Sequence, residues 1–420
     1  MLNPEEEIIL LSLQLQLDDP FLSLLNELIT RVPDWKAFSS FMADRGVGQM
    51  FYYKLPELED ANQIPVEAQQ KLKQSYFLTL SRNMRMQNAF QEIVKHCEGS
   101  GIKIVALKGI SLSEWLYKDI GLRLLSDIDL LVAPEQGEML LQKLLEIGYT
   151  SAPTDDFIGQ HREIVHYEPL VKDGIAVEVH IKLHRSIQSY HLSEKDIISR
   201  AELHRSGKYY EPQKNDHLIF IAIHLDRHFR QGAIQLSGYS DLINMSRGLT
   251  TEDWDEIESK CKEWNCVDEF FLHFMLLDYY GQVDIPSMTV QNHHHLLNRN
   301  DKQLFQDYLQ GKRFFQSGVP NHLSSIKLLS TGKKIKFILN TAFPSKSFMI
   351  EKYGIGRSEK YVAGSQKSKV STEEGSNYKL QATNYKLLFW WLWYPYRWAV
   401  GVKGLLQTFK RNKTFKHRSP

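Results

Sequence analysis

Residues 106–132 read ALKGISLSEWLYKDIGLRLLSDIDLLV, and the fold turns on how its last seven residues are interpreted. Asp127-Ile128-Asp129 places two carboxylates either side of one apolar residue and runs straight into Leu130-Leu131-Val132. A strand over Ser126 to Val132 sends residues i and i+2 to the same face, so Asp127 and Asp129 project together while Ile128 and Leu130 enter the core. Two adjacent anions on one strand face repel each other. An oxygen-seeking divalent cation such as Mg²⁺ is the usual compensation.

The neighbouring sequence supplies the rest of a small sheet. Ile102 to Leu107 is a short apolar run ended by Lys108-Gly109, which reads as a buried strand and a tight turn. Ser111 to Tyr117 suits a short helix, and Glu135 to Ile147 an amphipathic helix stopped by Gly148. A hairpin follows, with arms at roughly Glu163–Val171 and Ile175–Leu183 and a turn at Lys172-Asp173-Gly174. In the second arm Glu178 and His180 lie on the face opposite Val177 and Val179. If that arm runs beside the Asp-Ile-Asp strand, Glu178 becomes a third carboxylate. Three carboxylates can hold two Mg²⁺ ions, one carrying a nucleotide triphosphate and one activating an attacking oxygen.

Helical patterns flank this sheet. Pro4-Glu5-Glu6-Glu7 resembles a first helical turn, and further periodic stretches cover Phe21–Arg31 and Val66–Gly99, with Pro65 as a break. From Asp216 the pattern is helical to about Tyr280 and less regular to Leu339, whereas residues 354–377 are rich in Gly, Ser, Lys and Glu. The expected class is α+β: a small mixed sheet flanked by helices. The expected organisation is a helical N-terminal region (1–80), a sheet domain (81–212), a helical domain (213–353), a linker (354–384) and an aromatic-basic tail (385–420).

Composition narrows the function. With 24% charged residues, 42% hydrophobic residues and a net charge of +1, the 420-residue chain lacks the basic excess of a dedicated nucleic-acid binder, and no nucleic-acid template is expected. Cys97, Cys261 and Cys266 have no metal-ligand spacing and form no disulfide framework, and the acidic N-terminus has no positive n-region, so a cytoplasmic setting is expected. In the tail, Trp390, Trp391, Trp393 and Tyr394 precede a stretch from Arg397 to Arg418 that carries several basic residues and no acidic one. That pattern suits peripheral contact with an anionic membrane face. It equally suits a terminal helix packed on the protein.

The spacing Lys108-Gly109, then Arg123, then Ser126 to Val132, followed by Val177-Glu178-Val179-His180, resembles the nucleotidyltransferase superfamily with the DNA polymerase β-type palm. Within it the pattern is closest to a bacterial family of uncharacterised nucleotidyltransferases; the likeness continues in His217–Asp241 and is weaker in Ala342–Tyr353. The resemblance implies transfer of a nucleoside monophosphate from an NTP, ATP foremost, to a small-molecule, sugar or protein acceptor, with pyrophosphate released. It implies two Mg²⁺ ions, with Mn²⁺ as a substitute, held by Asp127, Asp129 and Glu178. The superfamily's Gly-Ser turn is here Lys108-Gly109, so an ammonium or backbone N–H groups replace the small hydroxyl at the triphosphate.

Several residues keep two readings. Arg123 either contacts phosphate or neutralises Asp127, and Ser126 either bonds phosphate or ends the preceding turn. His180 lines the acceptor pocket or is bonded within the sheet. His224 and His228, four apart on one helix face, have metal-ligand spacing but no accompanying His-Glu-x-x-His, so lining an acceptor cleft is the better reading. Asp241 either belongs to the same cleft or caps a helix, with capping the default, and His293-His294-His295 reads as an exposed loop or a helix start. Two other functions compete: a catalytically inactive palm that binds nucleotide as a scaffold, and a phosphohydrolase using the histidine cluster.

Overall fold

A computed structural model describes residues 2–151, 167–184, 188, 190–230 and 235–311. The expected linker and the aromatic-basic tail lie outside the described residues, as do Ala342–Tyr353 and part of the first hairpin arm.

Five helices come first: α1 (Pro4–Ser12), α2 (Asp19–Ile29), α3 (Trp35–Asp44), α4 (Gly48–Lys54) and α5 (Val66–His96). The α1 start is a capping box, in which the Asn3 side chain accepts from the Glu6 N–H and the Glu6 side chain accepts from the Asn3 N–H. Helix α5 is 31 residues long and begins directly after Pro65. It buries Leu72, Thr79, Asn83, Met86, Phe90 and Ile93 at helical spacing along one side.

The sheet elements then alternate with helices: β1 (Val105–Leu107), α6 (Lys108–Trp115), β2 (Ile128–Leu131), α7 (Gly137–Glu146), β3 (Thr150–Ser151), β4 (Leu170–Lys172), β5 (Ile175–His180), α8 (Glu194–Arg200), β6 (Glu202–Leu203) and β7 (Tyr210–Glu211). The remaining helices are α9 (Lys214–Arg230), α10 (Leu236–Ser246), α11 (Thr251–Glu263), α12 (Val267–Tyr279), α13 (Ser287–His293) and α14 (Arg299–Leu309). Among the described residues, no helix is long and apolar enough to cross a membrane.

The strands form one seven-stranded mixed sheet in the order β3-β4-β5-β2-β1-β7-β6. Strand β2 runs antiparallel to β1 and parallel to β5, which puts it at the centre. The register pairs Asp129 with Leu107 on one side and with Glu178 on the other. Strands and helix starts differ from the sequence reading by a few residues. The β2 strand begins at Ile128, leaving Asp127 in the preceding loop, and α6 starts at Lys108 itself. The β4–β5 turn is also tighter than expected: Lys172 pairs with Ile175, and Asp173 and Gly174 both take positive φ (51° and 75°). That is the two-residue mirror-image turn suited to strand twist.

Both faces of the sheet are covered. Ala106, Ile128, Leu130, Val177 and Val179 pack with Phe90, Ile93, Leu140 and Leu144 of α5 and α7. Val105, Leu107 and Leu131 belong to a larger core shared with α1–α4 and with α9, α10, α12 and α14. Because residues alternate along a strand, Asp129 shares the face of Leu131, on the side of the larger helical core. A carboxylate at that position is removed from water and requires compensating partners.

Candidate active site

The loop entering β2 is fixed from outside. Arg82 on α5 donates through Nε and Nη2 to the carbonyls of Leu125 and Ser126 (2.6 and 2.9 Å). Asn83 donates to the carbonyls of Ile120 and Arg123 and accepts from the Leu125 N–H. Gln49 donates to the Leu122 carbonyl at 2.9 Å. The peptide carrying Asp127 is therefore held by side chains from α4 and α5.

At the end of this loop the Ser126 hydroxyl donates to Asp127 Oδ1 at 2.6 Å. Asp127 is half-buried, and burial together with the negative charge of Asp129 pushes its carboxyl above the usual carboxylate range. Asp129 behaves oppositely. It is only 2% exposed, and burial alone would raise it, but the Lys108 ammonium and the His180 ring outweigh burial and hold its carboxyl well below that range. Asp129 Oδ1 meets both Lys108 Nζ at 2.7 Å and His180 Nε2 at 2.8 Å. Burial favours neutral His180, so its Nε2–H donates to Asp129. Glu178 lies beside them, with His180 Nε2 3.5 Å from its Oε2, and its side chain stays 24% exposed.

Asp129, Glu178 and His180 thus bring one donor atom each to within 4.8 Å of one another. Asp127 stands next to this group in sequence and charge, but is not part of that convergence. Two carboxylate oxygens fit a divalent cation of the Mg²⁺ or Mn²⁺ kind, and the imidazole would join them, favouring Mn²⁺, once its Nε2 proton moves to Nδ1.

The Lys108-Gly109 turn is built as carefully as the strands. Lys108 has φ 49°, a left-handed backbone that non-glycine residues adopt at a cost of about 1–3 kcal/mol. Its N–H donates to Nε2 of buried His217 at 2.9 Å. Burial, aided by the charge of Arg123, pushes the His217 pKa down to about 3, so this ring is neutral with its proton on Nδ1. At Gly109 a Cβ would collide with the Arg123 guanidinium and come within 2.5 Å of Leu125 Cδ2. Only glycine lets that guanidinium lie over the start of α6.

Arg123 lines the cavity, but its bonded nitrogens are committed to a carboxylate other than Asp127. It makes a two-pronged pair with buried Asp241 of α10, Nε to Oδ1 at 2.8 Å and Nη2 to Oδ2 at 2.7 Å. Tyr117 completes the cluster by donating to Asp241 Oδ1 at 2.7 Å. Asp241 is therefore a buried partner inside α10, and not the helix cap that its position after Ser-Gly-Tyr suggested.

A cavity of about 580 Å³ joins these parts, with Lys108, Gly109, Asp127, Asp129 and Glu178 on the sheet side and His224, Arg227 and His228 on α9. The two histidines touch each other, Nε2 to Nε2 at 3.0 Å, and Arg227 Nη2 lies 3.2 Å from His224 Nδ1. Burial, reinforced by Lys108 and Arg227, pushes His224 well below the ordinary imidazole range, and burial with Arg227 takes His228 down to about 4. His224 and His228 do not join the group of converging donors on the strands. His293 also departs from expectation: it is buried and stacked on Phe271 at 3.8 Å, whereas His294 and His295 are exposed.

Sequence reasoning passed over Asn83 and Arg82 as parts of this site, and offered His217 and Asp241 only as residues of a cleft without the partners they have here. A signal existed for Asn83, a polar residue at a core-facing position of α5 between Thr79 and Met86. None existed for the pairing of Arg123 with Asp241, which are 118 residues apart.

A family model described as "Uncharacterised nucleotidyltransferase" matches residues 32–280, more than half of the chain. The match takes in the whole β1–β2–β5 centre as well as α9 and α10. No curated protein matches the sequence. The chain therefore belongs to that nucleotidyltransferase family, and its general chemistry is nucleotidyl transfer.

Proposed function

We propose that this member of the uncharacterised nucleotidyltransferase family moves a nucleoside monophosphate from an NTP, ATP foremost, to a hydroxyl of a small-molecule, sugar or protein acceptor. The observation that carries the reading is the register of β2 on β5, which sets Glu178 beside Asp129 at the edge of a cavity entered by the Lys108-Gly109 turn. A cavity of about 580 Å³ is within the usual range for small-molecule sites.

In this reading Asp129 and Glu178, with Asp127 beside them, hold two Mg²⁺ ions. Bound there, the ions neutralise phosphate charge and orient the reacting oxygens. The N–H groups at the start of α6 face the triphosphate, where a helix N-terminus favours anions, and the Lys108 ammonium adds a positive charge at the same end. Arg123 acts through Gly109: its pair with Asp241 fixes the turn that receives the phosphates. Ser126 orients the Asp127 carboxylate by the bond already described.

Glu178, whose side chain stays 24% exposed, accepts the proton of the acceptor hydroxyl. The acceptor oxygen then bonds to the α-phosphorus, the bond from that phosphorus to the bridging oxygen breaks, and pyrophosphate leaves. His224, His228 and Arg227 line the opposite wall and bind the acceptor or the base, whereas His180 is buried in β5 against Asp129 and positions that carboxylate. The test is pyrophosphate release by purified protein over a panel of NTPs and acceptors, with and without Mg²⁺. Release that requires Mg²⁺ and disappears in Asp127→Ala/Asp129→Ala protein supports the mechanism, and unchanged release in that variant refutes it.

A further inference from the structure

The Lys108 ammonium and a divalent cation compete for the same oxygen. Lys108 Nζ sits 2.7 Å from Asp129 Oδ1, and Asp129 is one of the three residues whose donor atoms converge on the candidate cation position. The pair is nearly dry, with side chains 14% and 2% exposed. A buried carboxylate without a counter-charge is costly, so something must balance Asp129 whenever a cation does not. The other cations lining the cavity have partners of their own: Arg123 pairs with Asp241, Arg82 donates to the carbonyls of Leu125 and Ser126, Arg227 lies against His224, and Arg45 sits over the Phe41 and Tyr308 rings.

The backbone beneath Lys108 does not share the mobility of its side chain. Its φ of 49°, its N–H bond to His217 and the guanidinium lying over Gly109 pin the turn from three directions. The side chain is a flexible four-carbon stem rooted at the point where α6 opens into the cavity. It can leave Asp129 and reach into that cavity while its Cα stays in place.

We propose that Lys108 is a resident counter-cation: it holds Asp129 before loading, yields that oxygen to the incoming divalent cation, and turns its ammonium onto the phosphates of the nucleotide. This rests on reading the cavity as a nucleotidyl-transfer site. The exchange is ionic, so no covalent bond forms or breaks. It makes metal and nucleotide bind cooperatively, because metal alone strands an ammonium, and the nucleotide gives that ammonium a new anionic partner. A lysine in the turn that elsewhere in the superfamily carries a small hydroxyl then has a reason: it couples the two loading steps.

The experiment is a titration with Mn²⁺ in the absence of nucleotide, following the paramagnetic resonance of the free ion. Lys108→Met protein binds Mn²⁺ tighter than wild type by on the order of tenfold, the size of an ordinary coupling between sites. Lys108→Arg stays near wild type, since a guanidinium can still cover Asp129. Adding a non-hydrolysable ATP analogue tightens Mn²⁺ binding in wild type and much less in Lys108→Met. Equal or weaker Mn²⁺ binding by Lys108→Met protein that melts cooperatively overturns the proposal.

If that variant does not fold, wild-type protein decides. Acetylation of Lys108 by acetic anhydride, read by mass spectrometry, accelerates on adding Mn²⁺ alone if the ammonium is released. An unchanged or slower rate overturns the idea. The reading of the site as a nucleotidyltransferase centre is tested separately, by wild-type pyrophosphate release, and survives such a result.

Discussion

The two walls of the cavity respond to burial in opposite ways. On the strand wall, Asp129 is almost fully buried yet held ionised, because Lys108 and His180 both contact its Oδ1. On the α9 wall, burial meets no opposing carboxylate at His224 or His228, and neighbouring positive charge adds to it, so both rings are driven neutral. The same desolvation therefore yields an anionic wall fitted for cations and a wall of neutral rings plus one guanidinium. A site built for one substrate class would not need this division. A site that places metal and phosphates on one side and an acceptor or base on the other does.

The largest expected break comes from removing the strand wall's central charge. Asp129→Ala leaves the Lys108 ammonium buried without a partner and should cost about 3–5 kcal/mol of stability. Nucleotidyl transfer should fall by at least about 1,000-fold, as when an essential member of a catalytic unit is lost. Urea unfolding and pyrophosphate release measure the two effects. If the variant keeps wild-type stability, Lys108 does not depend on Asp129, and the contrast between the walls fails.

Glu178→Gln sharpens the same comparison one strand away. Glu178 shares the register row of Asp129 but remains a quarter exposed, so its stability change should stay within about 0.5 kcal/mol. Its activity loss should reach about 100- to 10,000-fold if it takes the acceptor's proton. A loss confined to KM would remove Glu178 from that role and leave it as a binding group only.

How much of this was readable in advance follows from the range of the interactions. The Asp-Ile-Asp strand, the hairpin and the third carboxylate were legible because period-two alternation and the Asp-Gly turn are local signals. The strand's start was misjudged by two residues, since Ser126 and Asp127 are held in a loop by Arg82 on a distant helix. The partners of Arg123 and Lys108 were not legible, because each is set by tertiary packing of α9 or α10 against the sheet. The α9 histidines were read as lining a cleft and do line the cavity, but their neutrality is a product of burial that no spacing reveals. The linker and the aromatic-basic tail lie outside the described residues and keep the two readings that their composition allows.

Gly109→Ala tests the turn between the two walls, where two effects of known size oppose each other. Alanine should favour the first turn of α6 by up to about 1 kcal/mol relative to glycine. The added Cβ would collide with the Arg123 guanidinium and crowd Leu125, and overpacking of that kind costs about 1–3 kcal/mol. The clash should win, because Arg123 is tied to Asp241 by two bonds and cannot retreat. A net loss of stability with weakened binding of an ATP analogue is the expected result in a melting and titration pair. A stabilised variant would mean that Arg123 moves freely, which the Asp241 pair does not allow.

The smallest expected effect belongs to the α9 wall and concerns its neutrality. His228 is pushed from an unfolded value of about 6.5 down to about 4, so between those values the unfolded chain binds more protons than the folded one. Stability from this group is fully present above about pH 6.5 and is lost as pH falls through the window toward 4. His217, taken down to about 3, has the same sign and extends the loss further into acid. Asp129 does not interfere, because its contribution fades only below the ordinary carboxylate value of about 3.9. Asp127 acts in the opposite sense and partly offsets the loss. Replacing His228 by Gln, which can still bond His224, removes one titrating ring and keeps the packing. The drop in urea midpoint stability from pH 7 to pH 5 should then shrink by about 1 kcal/mol relative to wild type, allowing for the ring's partial solvent contact. An identical drop in both proteins would show that His228 titrates alike in the folded and unfolded chain, so burial does not hold that ring neutral and the contrast between the walls fails there.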